Sequence, residues 1–155
     1  MTRSLRLSAA CKAGEIAGRL SVKFGRGRGE TLSGRVILAI DPNAISKLAE
    51  NRDIVMVSGT NGKTTVSTLI YQIFEAAGRD CGLIGTNETR IGKDAIDSSR
   101  TTPEATDLQA LSAVMRERHM RHLVMEVSSH AMVLHRMQGA HFAFVGFTNL
   151  TQDHL

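Results

Sequence analysis

DIVMVSGTNGKTTVSTLIYQIFEAAG (residues 53–78) decides the fold. IVMVS (54–58) is a short apolar run of the kind that forms a strand buried on both faces of a sheet. Val66, Leu69, Ile70, Ile73 and Phe74 then recur at helical spacing, which predicts a helix over 63–77 stopped by Gly78. Between strand and helix lies Gly59-Thr60-Asn61-Gly62-Lys63-Thr64-Thr65. Glycines there let backbone N–H groups surround phosphate oxygens, and the helix N-terminus adds a favourable dipole. Lys63 can reach the β- and γ-phosphates, and the Thr64 hydroxyl can ligate Mg²⁺. The spacing is shortened, with two residues between the glycines where the usual phosphate loop has four.

Downstream, CGLIGT (81–86) reads as a second strand and residues 87–100 as a polar loop or hairpin. Thr102-Pro103-Glu104 reads as an N-cap, a first-turn proline and a dipole-friendly acid. The helix that follows is expected to turn Leu108, Leu111, Val114 and Met115 inward. HLVMEV (122–127) is a third strand, 130–137 a short helix and FAFVGFTN (142–149) a fourth strand. This alternation predicts the α/β class, a parallel sheet with helices on both faces. Upstream, residues 4–24 read as a helix with Leu5, Ile16, Leu20 and Phe24 as its apolar face. GRGRGE (25–30) reads as a flexible linker, VILAI (36–40) as a lead-in strand, and 42–51 as a turn or short helix. The expected organisation is a basic lead over 1–52 and a nucleotide-binding domain over 53–155.

The 155 residues carry a net charge of +4, unevenly spread. Residues 1–35 hold eight basic and two acidic side chains, and the remainder is mildly acidic. The basic segment reads as a solvated lead-in helix. With one Tyr, five Phe and no Trp, stacking platforms for bases are scarce, so no nucleic-acid partner is expected. No apolar run approaches the roughly 18 residues of a membrane helix, so no membrane insertion is expected. Two cysteines, Cys11 and Cys81, make neither a disulfide framework nor a four-ligand zinc site. HExxH, CxxC and GxSxG patterns are missing from the sequence, which removes support for zinc proteolysis and serine hydrolysis.

The remaining polar residues fall at strand ends. Glu126 closes the third strand, followed by Ser128, Ser129 and His130. Thr148 and Asn149 close the fourth, followed by Asp153 and His154, and Thr86 and Asn87 close the second. Open α/β sheets bind ligands along this carboxyl edge. Glu126 is placed to hold Mg²⁺ beside Thr64, because hard cations prefer oxygen ligands, and His154 could add an imidazole.

GTNGKTT (59–65), TTPEATDLQAL (101–111), MEVSSHA (125–131), His135-Arg136 and FTNLTQDHL (147–155) together closely resemble the Mur ligases of peptidoglycan synthesis. The branch they look most like is MurE, the tripeptide synthetases, and the shortened phosphate loop is also a feature of that family. The resemblance implies a P-loop NTPase-like central domain of an ATP-dependent amide ligase. ATP would convert a carboxylate of a UDP-N-acetylmuramoyl-peptide into an acyl phosphate, and an amino acid's amine would displace phosphate. By motif, residues 59–65 would hold ATP, with Lys63 on the phosphates and Asn149 lining the nucleotide pocket. Thr64 and Glu126 would hold one Mg²⁺, and Glu126 with His154 a second, which makes Lys63, Glu126 and His154 the catalytic set. Thr101, Thr102, Ser128 and Arg136 would contact the UDP-muramoyl-peptide. A cytoplasmic address is expected from the UDP-linked precursors of that family.

Three features depart from the resembled branch. Only 58 residues precede Gly59, where tripeptide synthetases carry a UDP-binding domain. Leu134 stands where some members place a substrate-binding Gln, and the sequence stops at Leu155 within the last motif. The chain is therefore expected to be a piece of a larger ligase that does not complete ligation alone. The short basic lead resembles MurT, the Mur-like subunit of lipid II isoglutaminyl synthase, a reading that would bring an amidotransferase partner. Another P-loop ATPase is the remaining alternative.

Overall fold

The apolar run Ile54–Val57 lies inside β1 (Asp53–Ser58), in a sheet whose strand order is β4-β3-β2-β5-β1-β6. The structure is a computed structural model that describes residues 5–23, 30–49 and 52–151. β2 (Cys81–Ile84), β5 (His122–Glu126), β1 and β6 (Phe144–Phe147) run parallel. The polar stretch after β2 folds as a hairpin, β3 (Glu88–Ile91) and β4 (Asp94–Asp97), added antiparallel to the β2 edge. The sheet is therefore mixed, a parallel centre with one antiparallel flank.

Helices cover both faces. α4 (Lys63–Ala76) lays Val66, Ile70, Tyr71 and Phe74 over Val55, Val57, Leu83 and Val124. α5 (Ala105–Glu117) and α6 (Ser129–Val133) cover the other face, where Leu108, Met115 and Ala131 join Ile54, Ile84, Leu123 and Met125. Each fully buried Leu, Ile or Met contributes about 1.5–3 kcal/mol of transfer free energy, so these two layers hold the sheet rigid. Leu69 and Ile73 depart from the expected inward face of α4 and are exposed. The contact stripe runs through 66, 67, 70, 71 and 74 instead, which puts Ser67 and Tyr71 in the buried set. Val114 of α5 is likewise exposed, while Gln109 and Ala113 are buried.

The N-terminal segment differs most from its sequence reading. VILAI is not a strand; it ends α2 (Glu30–Ile40), and only Ile37 of the run is fully buried. One buried residue flanked by half-buried Val36, Leu38 and Ile40 is a helical pattern, and tertiary packing overrides the strand preference of the β-branched residues. The packing partner is α1 (Leu5–Lys23), whose Gly14 leaves no room for a side chain: a Cβ there would come within 2.6 Å of Ile37 Cγ1. α1 buries Leu7, Ala10 and Cys11, together with Ile37, Ala44 and Leu48, against Ala113 of α5. Leu5, Ile16 and Leu20, the expected apolar face, point outward. Phe24 and the glycine-arginine stretch up to Gly29 lie outside the described residues. α3 (Ala44–Ala49) forms as expected, started by Asp41, whose side chain accepts from Asn43 N at 3.2 Å.

Candidate functional site

The parallel register sets the site. Val57 of β1 is the partner of Glu126 of β5 and of Gly146 of β6, so the three carboxyl ends emerge side by side. The loop after β1 turns through Gly59 at φ +126° and Gly62 at φ +82°, conformations that L side chains rarely adopt. A Cβ on Gly59 would also stand 2.2 Å from Thr148 Oγ1. The residues after β6 brace this loop. Thr60 N donates to Asn149 O at 3.1 Å and Asn61 N to Asn149 Oδ1 at 2.9 Å. Thr148 Oγ1 donates to Asn61 O at 2.6 Å, and Thr60 Oγ1 to Thr151 O at 2.8 Å.

Lys63 Nζ donates to Gly59 O at 2.7 Å and Thr60 O at 2.9 Å, which holds the ammonium over the loop. The N-cap of α4 is Gly62, with no side-chain cap, so the helix start presents its dipole unmasked by a capping oxygen. Thr65, next in the first turn, is exposed. Glycine-permitted backbone, a lysine and an uncapped 14-residue helix make a chemically sound phosphate cradle.

Glu126 is 1% exposed, which for a carboxylate demands partners. Oε2 accepts from Thr64 Oγ1 at 3.0 Å and Thr86 Oγ1 at 2.8 Å. Oε1 accepts from Thr86 N at 3.0 Å, with Ser67 Oγ at 3.3 Å. Gly85 makes the approach possible, since a Cβ there would lie 2.6 Å from Oε1. Every donor is neutral, and among the described residues no basic side chain forms an ion pair with Glu126. A buried carboxylate ringed by hydroxyls and lacking a cationic partner suits a divalent ion, and the hard oxygen donors suit Mg²⁺.

The same glutamate ties in the second group of residues. Thr102 Oγ1 donates to Glu126 O and accepts from Ser128 N, both at 3.1 Å. Thr102 is thus a buried brace, and the N-cap of α5 is Glu104, because the Thr102 hydroxyl is already engaged across the sheet end. Ser128 caps α6, its side chain accepting from Ala131 N at 3.2 Å. Arg136 donates from Nη1 to Thr102 O at 3.2 Å and pairs through Nη2 with Glu104 Oε1 at 3.0 Å, leaving its Nε buried without a partner. Thr101 Oγ1 lies 3.1 Å from Thr86 Oγ1.

All the sequence-selected site residues within the described range therefore converge on one sheet edge; His154 lies outside the described residues. The sequence placed Thr86 and Thr148 at strand ends without assigning them a role, and it missed Ser67. The usable signal for Ser67 was a polar residue inside the apolar stripe of α4, one turn from Thr64. The other histidines stand apart. His135 and His141 are exposed, and His122 opens β5, stacked on Phe74 with ring centroids 4.7 Å apart.

The model of the Mur ligase middle domain matches residues 57–155. The chain belongs to the Mur ligase family. Over 102 residues it is 52% identical to the UDP-N-acetylmuramoyl-L-alanyl-D-glutamate–2,6-diaminopimelate ligase of Corynebacterium glutamicum, a match covering 66% of this chain and 20% of that one. Over 99 residues it is 52% identical to the UDP-N-acetylmuramyl-tripeptide synthetase of Leifsonia xyli, covering 64% and 19%. A solved diaminopimelate ligase of the same name superposes with a TM-score of 0.63 at 28% identity, covering 84% of this Mur ligase chain and 25% of that chain. The chain thus spans about a fifth of the length of the curated relatives it matches. These relatives lie on the MurE side of the family, and the isoglutaminyl synthase reading of the N-terminal lead is not favoured. Among the described residues no helix is long and apolar enough to cross a membrane.

Proposed function

We propose that this Mur ligase chain carries the ATP- and Mg²⁺-binding part of an amide ligase that adds an amino acid to a UDP-N-acetylmuramoyl-peptide in the cytoplasm. The observation that carries the reading is the buried Glu126 carboxylate 3.0 Å from the Thr64 hydroxyl of the glycine loop. Residues 59–65 hold the nucleotide: backbone and helix dipole receive the phosphates, and Lys63 neutralises them. Thr64 and Glu126 hold Mg²⁺, which when bound neutralises charge on the phosphoryl group in transfer. Asn149 lines the nucleotide pocket and braces the loop through Thr60 N and Asn61 N. Thr101, Ser128 and Arg136 border the muramoyl-peptide, with the buried Thr102 bracing Glu126 and Ser128 behind them. The peptide's carboxylate accepts the phosphoryl group before an amine displaces it as inorganic phosphate. His154 joins Glu126 at a second Mg²⁺. The relatives' names support 2,6-diaminopimelate as the incoming amine. In this reading residues 1–52 are a lead-in segment and 53–155 the nucleotide-binding domain.

Calorimetric titration of the chain with ATP, with and without Mg²⁺, tests the proposal. ATP binding that strengthens with Mg²⁺ and weakens more than about tenfold, or about 1.4 kcal/mol, in Lys63→Ala is expected. No ATP binding by the folded chain, unchanged affinity in Lys63→Ala, or a preference for GTP overturns it.

A further inference from the structure

Glu126 has two unlike carboxylate oxygens. Oε1 accepts a backbone N–H, from Thr86, which cannot rotate away. The Ser67 hydroxyl beside it divides its single proton between Oε1 at 3.3 Å and Thr64 O at 3.1 Å. Among the described residues, Oε2 is reached only by hydroxyls, those of Thr64 and Thr86, and each can turn a lone pair toward a cation. Oε1 is the anchored end and Oε2 the end left for an ion.

Among the described residues, Thr86 is the one that touches both ends, through its N–H to Oε1 and its hydroxyl to Oε2. It is not on a regular element; it follows β2 by two residues, and Gly85 brings its backbone close enough to reach the carboxylate. Its hydroxyl also lies 3.1 Å from Thr101 Oγ1. One hydroxyl proton serves one acceptor well, and Glu126 at 2.8 Å is both nearer and charged. Thr86 Oγ1 is the donor toward both, so its proton goes chiefly to Oε2 and Thr101 Oγ1 is the secondary acceptor. Thr101 and Glu126 are thus joined through the one hydroxyl of Thr86.

We propose that Thr86 is a positioning residue that orients Glu126 toward the cation and ties the Thr101 side of the site to it. The proposal rests on the ATP and Mg²⁺ reading above. Partners of this kind behind a ligating carboxylate change metal affinity by roughly 10–100-fold when removed.

Thr86→Val removes the hydroxyl while keeping the backbone N–H and the side-chain shape, and Thr86→Ser keeps the hydroxyl. Binding of a non-hydrolysable ATP analogue to the whole chain is measured across a Mg²⁺ titration and again in EDTA. Thr86→Val is expected to need roughly 10–100-fold more Mg²⁺ for half-maximal enhancement. Its affinity in EDTA should stay within about twofold of wild type, and Thr86→Ser should restore the Mg²⁺ response to within about threefold. A wild-type Mg²⁺ response in Thr86→Val, or no rescue by serine, overturns the proposal. Thr86 is exposed, so the variants should fold, with thermal unfolding as the check. If valine alone disrupts folding, Thr86→Ala takes its place against the same serine control. Failure of the wild-type chain to bind the analogue at all overturns the nucleotide reading, an outcome distinct from failure of the Thr86 role.

Discussion

The Thr64 hydroxyl, at the start of the first helix after β1, donates at 3.0 Å to Glu126, 62 residues later in the chain. Nothing local brings the two together. A parallel pairing of β1 with β5, Val57 opposite Glu126, delivers the strand end to the loop that leaves its neighbour. The helical crossover α4 separates β1 from β2, so β5 can insert between them with its carboxyl end beside the loop. Topology therefore does the positioning, and the hydrogen bonds finish it.

Glu126→Gln should separate the charge from the shape. The variant can keep its amide oxygen on Thr86 N and turn its NH₂ to the Thr64 and Thr86 hydroxyls, which can accept. Charge-assisted bonds become neutral ones, each worth about 1 kcal/mol less, so a modestly lower urea midpoint with unchanged slope is expected. Nucleotide affinity should lose its Mg²⁺ dependence while affinity in EDTA persists. A Mg²⁺ response like that of wild type rejects Glu126 as a cation ligand.

Two glycine replacements distinguish loop geometry from backbone preference. Gly59→Ala meets Thr148 Oγ1 at 2.2 Å and both N and O of Asn149 at 3.0 Å, at φ +126°. Gly78→Ala has φ +66° with nothing within 4 Å, so it bears only the left-handed cost of about 1–2 kcal/mol. Denaturant unfolding should show Gly59→Ala losing clearly more than Gly78→Ala, and only the former should weaken ATP binding. Equal losses would mean that the brace from Thr148 and Asn149 is unimportant.

How much of this was legible depended on whether the signal was local. The strand, loop and helix over 53–76 and the acid ending β5 read directly, because period, glycines and charge all sit within one window. Ile37 did not, since five apolar residues fit a strand or a buried helix equally well and only contact with Gly14 of α1 decides between them. The face of α1 was misread for the same reason. Leu7 with the small Ala10, Cys11 and Gly14 forms its packed side, while Leu5, Ile16 and Leu20 point outward. Thr86 and Ser67 carry no motif of their own, and their relation to Glu126 exists only in three dimensions.

Burial pushes the Cys81 thiol up to about 12. At pH 8 the thiolate fraction of such a group is about one in 10⁴, so Cys81 should resist thiol reagents in the folded chain. Cys81 sits in β2 under α4 and is fully buried. Labelling with a chromogenic disulfide reagent should show Cys81 modified only after denaturant is added. Rapid modification of Cys81 under native conditions, located by peptide mass, would contradict the packing of α4 on β2.

Acid should act selectively on the start of α3. Burial pulls the Asp41 carboxyl upward, but the Lys47 ammonium at 2.7 Å, the Asn43 N–H and Arg6 outweigh it and hold the group below the ordinary 3.8. A carboxyl whose folded value is depressed stabilises the fold fully above its unfolded value and loses that contribution as pH falls toward the folded one. The contribution of Asp41 is therefore complete at neutral pH and fades below about pH 4. Asp41→Asn should melt at a lower temperature than wild type at pH 7, and the gap should narrow from pH 4 downward. Because both proteins share every other carboxylate, the difference between their melting curves isolates this one group. A gap that stays constant from pH 7 to pH 3, or that widens in acid, would show that the ion pair with Lys47 does not hold α3 in place.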